Sequence, residues 1–142
     1  MRNRGYIVYA LLSVALSCKQ HTKTHAEKTF NDQYRIEVAQ VKEVNSNAFR
    51  VRVELVGKMA MGKLNTDTKM ALLYHMDSAF YLQTKGHVIY PDNVEPVATG
   101  DKNKYDYLVY YSKEKTGKGD VTFYFDDRFI TDNRYNLDIQ IN

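Results

Sequence analysis

The chain has 142 residues, 44% of them hydrophobic and 26% charged, which is the composition of one globular domain. Its two prolines exclude a proline-rich, low-complexity chain, and its single cysteine excludes an intramolecular disulfide. Twelve tyrosines and six phenylalanines occur mainly in alternating runs. Because aromatic residues are enriched in strands, this composition favours a β domain.

The first seventeen residues differ from the rest of the chain. Arg2 and Arg4 precede an uncharged apolar stretch at 5–17 (GYIVYALLSVALS). This stretch of 13 residues is too short to cross a hydrocarbon core, which needs about 20 residues. It matches the apolar region of a secretory signal, which has roughly 7–15 residues. We therefore predict that residues 1–17 are a signal peptide.

The sequence Ala15-Leu16-Ser17-Cys18 resembles the lipobox of bacterial lipoproteins, with Ala15 and Leu16 in the reverse of the usual order. The resemblance implies cleavage before Cys18 and attachment of acyl chains such as palmitate to that residue, so that the bilayer is a partner. Two or more acyl chains anchor a protein stably, whereas one holds it only marginally. Cleavage removes Arg2 and Arg4 and lowers the formal charge from +3 to +1, which leaves no basic surplus for nucleic-acid binding.

The residues after Cys18 bear on localisation. Residues 19–24 (KQHTKT) contain no acidic residue, and by resemblance to sorted lipoproteins this favours the outer membrane, facing the periplasm. Residues 19–31 have no apolar period. We therefore predict a lipidated, flexible tether over 18–32 and a folded domain over 33–142.

The first part of this domain alternates with the two-residue period of a half-buried strand. One face of the first predicted strand carries Tyr34, Ile36 and Val38. One face of the second carries Phe49, Val51, Val53 and Leu55. Residues 45–47 (NSN) supply a turn between them, so the pattern predicts a β-hairpin.

The middle of the chain is less regular. Residues 57–69 are predicted as a loop, and residues 67–76 fit either a helix capped by Asp67 or Thr68 or, as we favour, a strand. A hairpin follows, with strands at 78–84 and 87–90 around a turn at Lys85-Gly86. The polar segment 92–104 is predicted as a crossover between two sheets.

The last third alternates again. One face of each predicted strand carries Tyr105, Tyr107, Val109 and Tyr111, then Val121, Phe123 and Phe125, and finally Tyr135, Leu137, Ile139 and Ile141. Residues 112–120 (SKEKTGKGD) are predicted as a lysine-rich hairpin loop. Seven or eight short strands separated by turns predict an all-β, two-sheet sandwich.

This layout resembles the immunoglobulin-like, telokin-like domains of small bacterial lipoproteins. The matching segments are 49–53 (FRVRV), 80–82 (FYL) with Gly86 and Tyr90-Pro91, and 107–111 (YLVYY). The resemblance implies an immunoglobulin-like sandwich with a binding or scaffolding role.

Catalytic and metal-binding motifs are sparse. The sequence has no Gly-x-Ser-x-Gly nucleophile elbow and no phosphate-binding glycine loop, so we expect no enzyme activity and no cofactor. Asp126, Asp127 and Asp132 lack the spacing of a calcium loop and are expected to end a strand instead. His21 and His25 lie in the predicted tether, and we predict no metal site.

The remaining candidates concern contacts with a partner. Tyrosines on both faces of one strand, followed by a charged loop, are typical of an interface. The candidate partner-binding residues are Tyr105, Tyr107, Tyr110, Tyr111, Lys113, Lys115 and Lys118. We expect a protein-binding or assembly module of the cell envelope, such as a subunit of a type VI-like secretion complex. The alternatives are an inhibitor or immunity lipoprotein that blocks a cell-wall hydrolase, and a lipoprotein that binds a small ligand.

Overall fold

A computed structural model describes residues 24–142, so the predicted signal peptide, Cys18 and His21 lie outside the described residues. The described chain forms two antiparallel sheets packed face to face, which confirms the predicted all-β sandwich. One sheet has five strands in the order β1-β2-β3-β7-β6, and the other has four in the order β5-β4-β8-β9. In the described part of the chain, no helix combines the length and the apolar character needed to cross a bilayer.

The nine strands in this range outnumber the seven or eight predicted from the sequence. Their bounds are β1 (His25–Phe30), β2 (Tyr34–Val41), β3 (Ser46–Leu55), β4 (Phe80–Thr84), β5 (His87–Ile89), β6 (Asn93–Val97), β7 (Lys104–Ser112), β8 (Gly119–Asp127) and β9 (Asn133–Ile141). Three short helices connect them: α1 (Gly57–Met61), α2 (Thr66–Tyr74) and α3 (Lys113–Thr116).

The core lies between the two sheets and is built from residues 34–141. The alternating positions predicted for β2, β3, β8 and β9 are all buried, because each of these strands turns one face to the opposite sheet. The hairpin of β2 and β3 is confirmed, with Val38 opposite Val51. Since the described domain contains its own continuous apolar core, it has what an independently folding unit requires.

The sandwich has two distinct ends. At the near end, Thr24 precedes β1, its hydroxyl donates a hydrogen bond to the carbonyl of Gln140, and Asn142 follows β9. At the far end, the hydroxyl of Tyr34 at the start of β2 donates to Asp127 at the end of β8. Both ends therefore carry contacts that hold one sheet against the other.

Residues 66–74 form helix α2, so the strand predicted over 67–76 is wrong. The helix begins after Asn65, whose side chain accepts a hydrogen bond of 2.7 Å from the backbone N–H of Thr68. Leu72 and Met76, four positions apart, are both buried. The apparent alternation fails because Tyr74, between them in the pattern, is 64% exposed. This helix closes one side of the sandwich.

The predicted tether is wrong over 25–30, which form the edge strand β1. Its register places Glu27 opposite Glu37 and Phe30 opposite Tyr34 of β2. Of its side chains only Ala26 and Phe30 pack against the core. An edge strand with so few apolar residues shows no alternation in sequence, and the predicted domain boundary at residue 33 is therefore too late.

Two predicted connections are also corrected. The segment 92–104 is not only a crossover, since it contains the edge strand β6, which pairs with β7. The segment 112–120 is not a hairpin loop, because β7 and β8 belong to different sheets and helix α3 lies between them. Thr116 of this helix is buried and accepts a hydrogen bond of 2.7 Å from the side chain of Asn47.

Candidate functional site

The tyrosines predicted to bind a partner do not form one surface. Tyr107 and Tyr111 are 1% and 0% exposed and belong to the core, so neither side chain is available for the predicted contact with a partner. Burial raises the pKa of both hydroxyls. Tyr105 and Tyr110 are half-buried, and their opposite parity places them on opposite faces of β7.

The three predicted lysines lie at the near end, apart from Tyr105. Lys113 donates a hydrogen bond of 2.6 Å to the carbonyl of Val44. Lys115 pairs with the carboxylate of Asp92 and lowers the pKa of that group. Lys118 is exposed. All three lysines therefore lie outside the core and at the opposite end of β7 from Tyr105.

A different aromatic cluster lies on the outward face of the four-stranded sheet. Tyr81 of β4 is the register partner of Tyr124 of β8. Their rings stack in parallel, with centroids 4.8 Å apart and an angle of 7° between the planes. Side chains alternate between the two faces of a strand. Both tyrosines therefore point away from the core, because their neighbours in sequence point into it: Phe80, Leu82, Phe123 and Phe125.

Two further residues extend this stack. The ring of Tyr90, which follows β5, lies 5.7 Å from that of Tyr81 and is 52% exposed. The guanidinium carbon of Arg134, in β9, lies 5.8 Å from the centroid of Tyr81, within cation–π range. We call Tyr81, Tyr90, Tyr124 and Arg134 the aromatic–arginine surface.

The charge beside this surface is balanced locally. Asp126 accepts hydrogen bonds of 2.9 Å and 3.1 Å from Arg128 and lies 4.0 Å from Arg134. The hydrogen bond to Asp126 raises the pKa of the Arg128 guanidinium. Burial raises the pKa of the Tyr81 hydroxyl, although the nearby charge of Arg134 opposes this shift. Tyr81 is itself only 6% exposed, so Tyr90, Tyr124 and Arg134 form the accessible part of this surface.

This composition suits recognition of another molecule. Tyrosine and arginine are enriched at protein interfaces and supply many of the residues that dominate binding energy. Stacking limits the freedom of the rings before a partner arrives, which lowers the entropy cost of binding. The sequence contained a usable signal, because Tyr81 and Tyr124 have the parity opposite to the core residues of their strands. The residues come from four separate segments, so no single motif brings them together.

The aspartates near the end of β8 have structural roles. Asp127 is fully buried, and its carboxylate accepts hydrogen bonds from the Tyr34 hydroxyl, from the hydroxyl and N–H of Thr131, and from the N–H groups of Phe129 and Ile130. With five donors its lone pairs are occupied, so Asp127 is not a free cation ligand. Asp126 pairs with arginines, and Asp132 is exposed.

One group in the described residues has the spacing of metal ligands. His25, Glu27 and Glu37 place one ligand atom each within 4.8 Å of one another on the outward face of the five-stranded sheet. Arg35 and Arg52 contact the two glutamates at 3.4 Å and 3.7 Å. These arginines balance the carboxylates without a metal, which gives the group a structural explanation.

Comparison with protein-family models, curated proteins and solved structures finds no match to this chain. The chemistry of its own surfaces is therefore the basis for a function.

Proposed function

We propose that this protein is a lipid-anchored, non-catalytic binding module of the bacterial cell envelope. The aromatic–arginine surface is the observation that carries this proposal. Cys18, in its lipobox-like sequence, is the proposed attachment point. The finer proposal is that the partner is a component of an envelope assembly, such as a secretion complex.

The exposure of the surface supports a binding role. Tyr90 is 52% exposed and its neighbour Val88 is 50% exposed, so apolar area next to the stacked rings remains in water. Burying apolar area is favourable by roughly 25 cal/mol per Å². A partner that covers Val88, Tyr90 and the edges of the stacked rings would gain this energy, and Arg128 and Arg134 would select its polar or acidic groups.

The position of the surface is suited to an anchored protein. Arg134 lies eight residues before Asn142 along the β9 direction, a distance of about 26 Å at the usual rise per residue. Thr24 and Asn142 are both at the near end. A chain attached to a membrane through its amino-terminal segment would therefore hold this surface away from the bilayer.

Two experiments test the two parts of this proposal. The first compares membrane association and processing of the full chain with that of Cys18→Ala. The proposal expects the variant to remain unprocessed or to leave the membrane fraction. Unchanged processing and unchanged membrane association would refute the lipid anchor.

The second experiment captures cross-linked partners from envelopes with the full chain, with a Tyr90→Ala/Arg134→Ala variant and with Tyr74→Ala as a control. Tyr74 is 64% exposed on α2, so its loss removes an exposed tyrosine outside the surface. We expect one reproducible set of envelope components to be lost only from the double variant. Equal capture by all three proteins would contradict the role of the surface, and capture of a single cell-wall hydrolase would favour an inhibitor instead.

A further inference from the structure

A groove opens at the near end of the sandwich, on the side away from the aromatic–arginine surface. It encloses about 590 Å³. The end of β2, the turn after it, helix α3 and the last residue of the chain form its walls. Lys42, Lys113 and Lys118 line it, together with the acidic side chain of Glu43.

The lysines of the groove differ in how they are held. Lys113 donates hydrogen bonds to the carbonyls of Glu43 and Val44 and so fixes the turn after β2. Within residues 24–142, neither Lys42 nor Lys118 forms an ion pair with a carboxylate. Two ammonium groups at one opening, not neutralised by the described chain, attract an anionic ligand.

An exposed apolar side chain stands beside these lysines. Val44 is 83% exposed in the turn between β2 and β3. The carbonyl of this residue is fixed by Lys113, which limits the movement of the turn. Basic side chains beside exposed apolar area are typical of contacts with the membrane interface.

The short stretch of chain between the groove and Cys18 indicates which anionic ligand lies close to the groove. Asn142, which lines the groove, donates a hydrogen bond from its side chain to the hydroxyl of Thr24. Thr24 follows Cys18 by only six positions, a stretch of chain that spans at most about 20 Å. Two of the residues in this interval, Lys19 and Lys23, add positive charge.

We propose that the near end binds the surface of the bilayer through anionic phospholipid headgroups. Lys42 and Lys118 contact the headgroup phosphates, and Val44 enters the interfacial layer. This orientation rests on the proposed anchor at Cys18. The contact would keep the sandwich upright on the membrane and the aromatic–arginine surface turned outward. An anchored chain without it would sample many orientations.

The test uses the domain of residues 24–142, which contains the whole described core, and lipid vesicles that it can bind without an acyl chain. Binding to vesicles of phosphatidylcholine with phosphatidylglycerol is compared with binding to phosphatidylcholine alone. We expect binding to the anionic vesicles, weakened by added salt. Equal binding to both kinds of vesicle, or no binding to either, would overturn the proposal.

Two variants locate the contact. Lys42→Glu/Lys118→Glu should lower the affinity for anionic vesicles by at least about 25-fold, because each lysine near such a surface contributes about a factor of five and each new glutamate is repelled. Lys58→Glu/Lys63→Glu makes the same change of charge beyond the end of β3, at the far end, and should retain most of the binding. Equal losses in both variants would refute a specific near-end contact.

Circular dichroism and the thermal midpoint of each variant establish that it is folded. This experiment is independent of acylation, so its failure leaves the proposed anchor and the aromatic–arginine surface to be judged by the Cys18→Ala and capture experiments.

Discussion

The hydroxyl of Tyr34 donates a hydrogen bond of 2.7 Å to Oδ2 of Asp127, and this contact joins the two sheets at the far end of the sandwich. Both residues are 0% exposed. A carboxylate without partners in such a position would be costly, and the N–H groups of the following turn satisfy its remaining lone pairs. Burial, followed by the hydrogen bond to Asp127, raises the pKa of the Tyr34 hydroxyl, so it remains a donor.

We predict that Tyr34→Phe lowers the free energy of unfolding by about 1.5–3 kcal/mol, the range for a hydrogen bond to a charged group. The measurement is urea denaturation followed by circular dichroism. Tyr135→Phe is the control, because the Tyr135 hydroxyl contacts the neutral groups of Thr131 and Gln33. A loss no larger than that of the control would contradict the role of the charged acceptor.

Two further buried tyrosines of the core, Tyr107 and Tyr111, make a matched pair. The hydroxyl of Tyr107 donates a hydrogen bond of 2.6 Å to the carbonyl of Leu72 and so fixes α2 to the sheet. The hydroxyl of Tyr111 is buried without a hydrogen-bond partner in the described chain. Because an unsatisfied buried hydroxyl carries a desolvation cost, its removal should be neutral or favourable.

We therefore predict opposite effects of the same substitution. Tyr107→Phe should lower the free energy of unfolding by about 1 kcal/mol, whereas Tyr111→Phe should leave it unchanged or raise it by up to about 1 kcal/mol. Thermal and urea denaturation of the two variants give the comparison. Similar losses in both would show that the Tyr111 hydroxyl has a partner that stabilises the fold.

The strands that were predicted from alternating apolar and polar residues are those with one face in the core. β3 and β9 bury every second residue along their length, and β2 does so from Tyr34 to Val38, so their period is visible in the sequence. The edge strands β1 and β6 were missed because most of their side chains are exposed and nothing selects a period. Helix α2 was missed because Leu72 and Met76 satisfy a period of two and a spacing of four equally well.

The candidate surface was missed for a different reason. Tyr81, Tyr124 and Arg134 lie on three strands, and their proximity depends on the registers of β4, β8 and β9. β4 and β8 are distant in sequence and become neighbours only in the folded sheet, so no local pattern reveals that these side chains meet. The density of tyrosines in β7 is visible locally, but most of that density fills the core.

Gly57 is the first residue of α1 and follows β3 closely. Its φ of +56° is in the left-handed region. A Cβ atom at this position would lie 2.5 Å from the carbonyl oxygen of Asp32. Gly100 also has a positive φ, +71°, but a Cβ atom there would have no neighbour within 4 Å. Alanine at Gly100 would therefore introduce backbone strain alone, whereas alanine at Gly57 would introduce both strain and steric overlap.

We predict that Gly100→Ala costs about 1 kcal/mol through backbone strain alone. Gly57→Ala should cost at least ~2 kcal/mol, because the turn between β1 and β2 at Asp32 must also move. Thermal denaturation of both variants tests the difference. Equal costs would mean that the chain around Asp32 relaxes freely.

Asp106 links two arginines across the outward face of the five-stranded sheet. Arg52 donates to both of its carboxylate oxygens at 2.8 Å and 2.9 Å, and Arg50 donates at 2.7 Å. Burial alone would raise the pKa of Asp106, but the hydrogen bonds from Arg52 and Arg50 outweigh it and hold the pKa below its ordinary value of 3.8. The carboxylate is therefore more acidic in the folded chain than in the unfolded one.

A lowered folded-state pKa means that Asp106 stabilises the fold above pH 3.8, and that this contribution is lost as the pH falls through the lower folded-state value. At neutral pH we predict that Asp106→Asn lowers the free energy of unfolding by about 2 kcal/mol, because two arginines lose a charged acceptor. The difference from the unmodified chain should shrink as the pH is lowered below 3.8.

Asp120→Asn, at an exposed position, should change stability by less than about 0.5 kcal/mol and serves as the control. Urea denaturation over a series of pH values measures both variants. A deficit for Asp106→Asn that stays constant into the acid range would mean that the carboxylate acts by packing, since a contribution from its charge must fade on protonation.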